Sequence, residues 1–422
     1  MAGWLCHDIS IARQPKWEPD NENGITAETL SITDETWRSS AALWDRGDYL
    51  PAMSGFQRSL EPYRQAWPYI GKSSGTNERR SGDKLDDFLR RSVLLAEKLL
   101  FCAYCELDAG QVNSARERLV QCISVVMTVF VPSPSIEGRE KIKNVMDDAW
   151  MELMLSMEEV PEHRVVSRHV ANMAVATRCC DWVDPMQRPG YMCPILRGAN
   201  GPVIPRVEHP PWCELLESSA DGILAEYLTL STGLDRGSSF GDGFTDVGSG
   251  ERGSGHDDHK VVVGKGWKEY VLFGTGAKPG DSDAPFTKAL LRRCCPGAVS
   301  LANGGGGEVI FSRLSSGTRI RPHCGPTNLR WTAHLGLVVP DCSEKECRIR
   351  IKDEWHGWKV GRVLLFDDSF EHEVRNDADS DRVVLLIRMW HPRLTAEQRE
   401  TYLGEALERR RRDVSKRYSC PR

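Results

Sequence analysis

A succession of short β-rich segments fills the final third of the chain, and it constrains the fold more than any other feature. The segments EVIFSRL, TRIRP, NLRWTAHLGLVVP, CRIRIK, RVLLF and RVVLLIRMW are separated by turn residues, with little helical pattern between them. Several alternate polar with apolar residues, as strands with one buried face do. This many closely spaced strands predict an antiparallel sandwich or barrel, and a jelly-roll (double-stranded β-helix) would enclose a cavity in which a metal could bind.

Residues 26–177 carry a different pattern, in which apolar residues recur at helical spacing. The segments AALWDRGDYLPAMSGFQRSLEPY and LLAEKLLFCAYCELDAGQVNSARERLVQCISVV each indicate two helices joined by a turn. In the second segment the turn falls at Gly110, and Ala115, Leu119 and Cys122 share one face of the helix that follows. Both segments resemble tetratricopeptide units, so we predict a helical, tetratricopeptide-like N-terminal domain.

Prolines and tryptophans mark the end of this helical half. Runs such as PVIPRVEHPPW cannot continue a helix, so we predict a Pro-rich linker over 178–209 and a β-jelly-roll domain over 210–400. The fold class is therefore α+β and multidomain. Within the second domain, residues 232–260 are rich in Gly, Ser and Asp and predict a flexible insertion. A basic C-terminal helix or tail is predicted over 401–422.

Histidines and cysteines outside the strand-rich region are interpreted as structural or solvent-exposed. The predicted insertion contains HDDH, with His256 and His259, which we interpret as solvent-facing rather than metal-binding. Cys102 and Cys105 have a C-x-x-C spacing, but they lie on an apolar helix face with no second pair to complete a zinc site. The 14 cysteines are scattered along the chain and predict reduced thiols.

Charge and hydropathy exclude two classes of partner. A formal net charge of −5 provides no basic field for nucleic acid, so we expect no nucleic-acid partner. No apolar run approaches the roughly 20 residues that a membrane span needs, and MAGWLCHDISIARQ lacks the apolar core of a secretory signal. We therefore expect no membrane partner and a cytoplasmic location.

Three separated segments carry the residues on which chemistry can depend. RPHCGPTN contains His323, FDDSFEHEV contains His372, and DRVVLLIRMWHP contains Arg382 at the start of an apolar strand. Two histidines that are distant in sequence, on strands of a small β-barrel, could converge on an iron ion. An arginine on the next strand could then hold the far carboxylate of an acid that chelates this iron.

The same segments resemble a known family. FSRLSSGTRIRPHCGPTN, HLGLVVP, GWKVGRVLLFDDSFEHEV and RVVLLIRMWHPRLT, in this order, are similar to the oxygenase domain of the aspartyl/asparaginyl β-hydroxylases. The resemblance implies an Fe(II)- and 2-oxoglutarate-dependent dioxygenase that uses dioxygen, with ascorbate as reductant in vitro. It also implies hydroxylation of an unactivated C–H bond, in an Asp/Asn-type residue of a polypeptide that the helical domain presents.

The resemblance also assigns roles to individual residues. His323 and His372 are the expected iron ligands, and Arg382 is the expected partner of the far carboxylate of 2-oxoglutarate. Ser312 and His334 are expected to add hydrogen bonds to the cosubstrate. His356 and His391, also in this region, are interpreted as structural.

This chain departs from the usual pattern at two positions. Most oxygenases of this type have a carboxylate ligand two residues after the first histidine, and here that position is Gly325. The family shares this feature, so the third ligand position is left to water or open. Thr332 stands where the family usually has an arginine, two residues before His334; Arg330 lies on the same strand face, and whether it compensates is left open.

The acidic run around His372 has two interpretations. Asp367 and Asp368 can be turn residues that accept hydrogen bonds from backbone amides or from a ligand histidine, and so orient it. Alternatively, Asp367 or Glu371 replaces the missing carboxylate ligand.

Rival functions also stay open at this level. They are hydroxylation of a small molecule by the same fold, a catalytically silent scaffold, and a regulator that binds zinc or another metal through the same histidines. Thr332 supports the alternative of a silent scaffold, because it stands where the family usually has an arginine.

Overall fold

The structure is a computed structural model that describes residues 82–130, 181–199, 201–231, 243–247, 262–280, 282–340 and 346–418, with short pieces between 35 and 59 and between 145 and 175. The chain divides into two compact units. The first comprises Met1–Asp181 and Arg410–Arg422, and the second comprises Trp182–Arg409.

The first unit contains a helical hairpin, α1 (Gly82–Asp108) and α2 (Val112–Phe130). Gly110 joins the two helices with a φ of 73°, a left-handed conformation that glycine adopts without steric cost. Ala115, Leu119 and Cys122 are fully buried on α2. The second predicted helix pair is thus confirmed as a helical hairpin, while its tetratricopeptide character stays a prediction. Of the first predicted pair the structure describes only pieces.

The described part of the second unit contains two antiparallel sheets. One has the strand order β1-β3-β4-β11-β6-β9 and the other the order β2-β5-β10-β7-β8. The strands are β1 (Thr245–Val247), β2 (Val262–Val263), β3 (Trp267–Phe273), β4 (Val309–Leu314), β5 (Thr318–His323), β6 (Arg330–Val338), β7 (Cys347–Ile351), β8 (Glu354–Gly357), β9 (Val363–Phe366), β10 (His372–Asn376) and β11 (Arg382–Trp390). The predicted α+β class with antiparallel strands is therefore confirmed.

Both faces of the six-stranded sheet are covered, which explains why its central strands are apolar throughout. Because successive side chains of a strand point to opposite faces, the odd-numbered residues of β6 and β11 pack towards helices and the even-numbered residues of β11 face the other sheet. Residues of both sheets form an inter-sheet cluster, which includes Ile310, Leu314, Ile320, Ile349, Phe366, Val374, Val384 and Leu386.

Among the described residues, five α-helices follow Trp182 in the chain. They are α3 (Pro211–Ser218), α4 (Ala220–Ser231), α5 (Pro285–Cys294), α6 (Pro296–Asn303) and α7 (Ala396–Tyr418). Three of them begin with a proline, which is favoured at this position because the first helical N–H has no partner within the helix. In the part of the chain that the structure describes, no helix combines the length and the apolar character needed to cross a membrane.

The segment that was predicted as a Pro-rich linker is folded with the sheets. Residues 182–209 belong to the same compact unit, and Gln187 and Val203 form single β-bridges with Phe370 and Phe366. Its prolines prevent long helices, but they allow an extended chain to pack against a sheet. Cys193 and Arg188 of this segment are buried.

Part of the predicted flexible insertion is also ordered. Thr245–Val247 pairs with β3 as strand β1. The HDDH motif with His256 and His259 lies outside the described residues.

Candidate active site between the two sheets

The structure brings His323 and His372 together on neighbouring strands. They are Cα partners in the β5–β10 ladder, and their ring centroids lie 4.2 Å apart. A register irregularity follows His372 in this ladder, between His372 and Val374. Such irregularities re-aim side chains.

Backbone carbonyl groups orient both imidazoles. The Nδ1 atom of His323 lies 2.8 Å from the carbonyl oxygen of Arg321, and Nδ1 of His372 lies 2.8 Å from that of Phe370. Since a carbonyl oxygen only accepts, each Nδ1 carries the hydrogen, and Nε2 of the neutral ring keeps its lone pair. Burial, with the nearby His323, lowers the pKa of His372 to about 3, so its ring is neutral at pH 7. The pair is thus suited to bind a metal through Nε2.

Arginines neutralise the glutamates on either side of His372. Glu371 accepts hydrogen bonds from Arg188 at 2.5 Å and Arg350 at 2.8 Å, and Glu373 accepts one from Arg350 at 2.9 Å. Burial opposes ionisation of Glu371, but the attraction of the two arginines prevails and holds its pKa at about 2. These carboxylates therefore form ion pairs that tie β10 to β7 and to the 182–209 segment.

Asp368 lies against Gly325, at the position where a carboxylate ligand is missing. The backbone N–H of Gly325 donates to the carbonyl oxygen of Asp368 at 2.6 Å. A Cβ atom at position 325 would lie 2.8 Å from Cγ and from Oδ1 of Asp368, closer than real contacts allow. The Asp368 carboxylate accepts hydrogen bonds from Arg330 at 3.0 Å and from Arg388 at 3.3 Å. Only glycine therefore fits at position 325.

The structure gives no support to the alternative in which Asp367 or Glu371 replaces the missing ligand, because both carboxylates have other partners. In the described parts of the chain, no three His, Cys, Asp or Glu side chains are grouped so that they could hold a metal. Glu371 is bound by arginines, and Asp367 accepts hydrogen bonds from the backbone N–H and the hydroxyl of Ser369 at 3.0 and 2.6 Å. Burial raises the pKa of Asp367 to about 7. Asp367 thus acts as a turn residue, while backbone carbonyls, not aspartates, orient the histidines.

Arg382 is a buried cation with unused hydrogen-bond donors. Its residue is only 2% exposed, and Nε and Nη1 have no hydrogen-bond partner. The guanidinium carbon lies 4.7 Å from the ring centroid of Trp358. Burial lowers the pKa of Arg382 to about 10, so the side chain is still charged at pH 7. A buried charge without a counter-ion is costly, so this arginine marks an anion site.

His334 and Ser312 lie on strands next to β11 and are connected to two tryptophans. Nδ1 of His334 accepts a hydrogen bond from the indole of Trp358 at 3.3 Å, and the hydroxyl of Ser312 accepts one from Trp267 at 3.0 Å. Burial, with the nearby Arg382, lowers the pKa of His334 well below its ordinary value. The neutral ring therefore carries its hydrogen on Nε2 and can donate it.

An aromatic ring links this region to the imidazole pair. The ring centroid of Phe366 lies 5.1 Å from that of His334 and 5.8 Å from that of His372. Sequence reasoning did not find Phe366, Trp358 or Arg188, because only tertiary packing reveals their contacts.

Thr332 and Arg330 have different environments on the same strand. Thr332 is 2% exposed, and its hydroxyl has no hydrogen-bond partner. Arg330 donates to Asp368 and, at 2.9 Å, to the carbonyl oxygen of Gly306. Arg330 is therefore engaged in ion pairing and does not take the place of an arginine at 332.

The fold and the site define a class of protein that has two antiparallel sheets, a pair of imidazoles able to bind a metal, and a buried arginine. Residues 218–392 match the family model described as aspartyl/asparaginyl beta-hydroxylase. This match, which covers less than half of the chain, confirms the resemblance of its motifs to that family.

Similar curated proteins cover only part of this chain. The mouse aspartyl/asparaginyl beta-hydroxylase is 41% identical over 137 residues, which are 32% of this chain and 18% of that protein. Human aspartate beta-hydroxylase domain-containing protein 1 is 30% identical over 51% of this chain and 50% of its own length. The ornithine lipid ester-linked acyl 2-hydroxylase of Rhizobium tropici is 29% identical over 43% of this chain and 58% of its own. The match thus spans less than a fifth of the mouse relative.

Proposed function

We propose that this protein is an Fe(II)- and 2-oxoglutarate-dependent dioxygenase that hydroxylates an unactivated C–H bond of an Asp/Asn-type residue in a polypeptide. One observation carries the proposal: a buried arginine, Arg382, leaves two donors unused between the same two sheets that hold the imidazole pair. The family match and the presence of hydroxylases among the relatives support it.

Each of the five predicted site residues has a physical role in this proposal. Nε2 of His323 and of His372 would hold the iron, because Nδ1 of each ring is engaged by a backbone carbonyl. Arg382 would bind the far carboxylate of 2-oxoglutarate through its unused N–H groups. His334 would donate from Nε2, and Ser312 from its hydroxyl. Bound iron and 2-oxoglutarate would, with dioxygen as the oxidant, supply oxidative decarboxylation to succinate and carbon dioxide, in which one oxygen atom enters succinate and the other the hydroxylated C–H bond.

The strand order supports a jelly-roll for the catalytic domain. β4, β6, β9 and β11 lie in one sheet, and β5, β7, β8 and β10 lie in the other. The chain therefore passes repeatedly from sheet to sheet, and in the proposed jelly-roll the two sheets would be the walls of the cofactor site. We propose a cytoplasmic location and a polypeptide substrate presented by the helical unit.

A second candidate function is hydroxylation of a small molecule or lipid. It is favoured by the similarity to the Rhizobium tropici ornithine lipid ester-linked acyl 2-hydroxylase, more than half of which is covered. Mass spectrometry of peptides and of metabolites that gain one oxygen in an enzyme-dependent way distinguishes the two substrates.

Release of succinate tests the proposed activity. The purified full chain is supplied with Fe(II), ascorbate and labelled 2-oxoglutarate. We expect succinate from the wild type, none from His372→Ala, and an unchanged rate from the control His356→Ala, whose histidine lies on strand β8, away from the imidazole pair. Folded wild-type protein that releases no succinate supports a silent scaffold, and zinc retained after anaerobic purification supports a metal-binding regulator.

A further inference from the structure

We propose that the outer face of the five-stranded sheet binds an acidic polypeptide segment in extended conformation. The site is an arginine row, Arg319 on β5, Arg375 on β10 and Arg348 on β7, beside the edge strand β8. Arg375 lies three residues after His372, so the two side chains are on opposite faces of β10. The inference therefore does not depend on the proposed catalytic activity.

The three arginines of the row are direct neighbours across the strands. Arg375 is the Cα partner of Arg319 in the β5–β10 ladder and of Arg348 in the β7–β10 ladder. A residue next to each arginine along its strand belongs to the inter-sheet cluster, and these residues are Ile320, Val374 and Ile349. Because successive side chains point to opposite faces, the arginines point away from that cluster. Like charges directly opposite each other destabilise a sheet, and an anionic ligand would relieve this repulsion.

Carboxylates of the protein neutralise Arg319 and Arg375 only in part. Arg319 pairs with Asp377 at 2.9 Å, but the two side chains are 56% and 35% exposed, so water screens the pair. Arg375 lies 3.5 Å from Glu373, whose carboxylate already accepts a hydrogen bond from Arg350 at 2.9 Å. Both arginines thus retain positive charge for a ligand.

Arg348 has no acidic partner in the part of the chain that the structure describes. No salt bridge joins it to a carboxylate there, and its buried Nε atom has no hydrogen-bond partner. Its guanidinium carbon lies 4.0 Å from the ring centroid of Trp355, and that of Arg375 lies 4.9 Å from the same ring. These cation–π contacts hold the two guanidinium groups in place without neutralising them, so both can bind a carboxylate.

Strand β8 provides a backbone edge beside the arginine row. It is the last strand in the order of its sheet, and among the described strands it pairs only with β7. The N–H and C=O groups of an edge strand are a template for an incoming extended chain. Gly357 of β8 is the Cα partner of Arg348, and it has no side chain. A glutamate that an added strand places opposite Gly357 would therefore face Arg348 with no side chain between them.

The edge and the tryptophan favour a polypeptide over other polyanions. Only a polypeptide can continue the hydrogen-bond ladder of the sheet, whereas a nucleic acid or a lipid headgroup would bind through charge alone. Single-stranded nucleic acids also need aromatic rings on which bases stack, and the ring of Trp355 is already engaged by two guanidinium groups. The chain as a whole has a net charge of −5, which weakens the attraction of a large polyanion.

Fluorescence anisotropy with two matched probes tests this inference. The full chain, without added metal or 2-oxoglutarate, is titrated with a fluorescein-labelled octapeptide of alternating threonine and glutamate. The second probe is the same peptide with glutamine in place of glutamate. Alternation places all the acidic side chains on one face of an extended peptide. We expect the glutamate peptide to bind about 10-fold more tightly at low salt, and this difference should shrink as the salt concentration rises above about 0.15 M.

Variants of the arginine row and of β8 locate the binding. Arg348→Gln combined with Arg375→Gln should weaken binding of the glutamate peptide by about 10-fold and leave that of the glutamine peptide unchanged. Arg206→Gln is the control, because it removes an exposed arginine that pairs with Glu217 outside this sheet, and it should bind like the wild type. Gly357→Glu supplies a carboxylate opposite Arg348. It should weaken peptide binding and raise the melting temperature relative to Gly357→Gln.

Four results would overturn the inference. They are equal binding of the two peptides by the wild type, binding of neither peptide, unchanged binding by the folded double variant, and stronger displacement of the probe by oligothymidylate or phosphatidylserine vesicles than by unlabelled glutamate peptide. Thermal melts report whether the double variant folds. If it does not, Arg375→Gln replaces it, because the side chain of Arg375 is 31% exposed. The comparison of the two probes on the wild type requires no variant.

Discussion

Replacement of Arg382 by methionine should stabilise the protein in the absence of cosubstrate and remove its stabilisation by 2-oxoglutarate. Arg382 is buried, and its Nε and Nη1 atoms have no hydrogen-bond partner. The side chain is thus a net cost to folding, which an anionic ligand would offset. Methionine is flexible and apolar, so it can fill much of the same space without burying a charge.

The magnitude follows from the pKa of Arg382, which burial lowers from 12.5 to about 10. A tenfold change in proton affinity corresponds to about 1.36 kcal/mol, so the buried charge costs about 3 kcal/mol. The cation–π contact with Trp358, at 4.7 Å, returns about 1–2 kcal/mol. We therefore expect Arg382→Met to raise the free energy of unfolding by about 1–2 kcal/mol. Arg382 is charged in the folded and in the unfolded protein below about pH 10. The difference in the free energy of unfolding between Arg382→Met and the wild type should therefore be constant from about pH 6 to 9.

Denaturant unfolding with Mn(II), with and without 2-oxoglutarate, measures both effects. A ligand at 100 times its Kd stabilises the wild type by about 2.7 kcal/mol, and the variant should gain almost none of this. Val384→Ala is the matched control, because Val384 lies two residues further along β11 in the inter-sheet cluster. It should lose about 1–3 kcal/mol in both conditions and keep the ligand effect. Lower stability of Arg382→Met than of the wild type without ligand, or equal stabilisation of both proteins by 2-oxoglutarate, would contradict the prediction.

Two further predictions concern the surroundings of the imidazole pair. Gly325→Ala should lower the free energy of unfolding by about 1–3 kcal/mol, because the added Cβ would clash with Asp368. Gly297→Ala is the control, since its added Cβ would lie 3.6 Å from the nearest atom. Thermal melts should show a lower melting temperature for Gly325→Ala and no change for Gly297→Ala. Asp367 has a raised pKa of about 7, so its ionisation opposes folding as the pH rises from about 4 to 7. Between pH 5 and 8 the wild type should therefore lose stability relative to Asp367→Asn; equal changes in denaturant midpoints would contradict this.

The strands could be predicted from sequence because their local pattern is strong. RVVLLIRMW is apolar on both faces, and β11 is indeed a central strand covered by the other sheet and by helices. The proximity of His323 and His372 was expected from the motifs around them, and the β5–β10 register provides it. Alternation along β6 also correctly placed Arg330 and Thr332 on one face.

Contacts between distant segments could not be predicted in this way. Arg188 lies 183 residues before Glu371, in a segment whose prolines indicated only that no helix continues there. Arg330 and Asp368 are 38 residues apart and meet because β6 and the turn after β9 converge on Gly325. Local patterns report periodicity and turn residues, whereas the choice of ion-pair partner is made by the folded chain.

The charges around the imidazole pair explain why so acidic a run can stand beside a candidate metal ligand. The carboxylates of Asp368, Glu371 and Glu373 all bind arginines, so their charge is neutralised within the protein and is not offered to a metal. The two imidazoles are neutral ligands, and the buried side chain of Arg382, whose Nε and Nη1 atoms have no hydrogen-bond partner, is positively charged. A divalent metal held by these residues therefore gains no anionic ligand, and in the proposed function the dianionic cosubstrate supplies the missing negative charge. Binding of metal and of cosubstrate should consequently reinforce each other by the same factor in both directions.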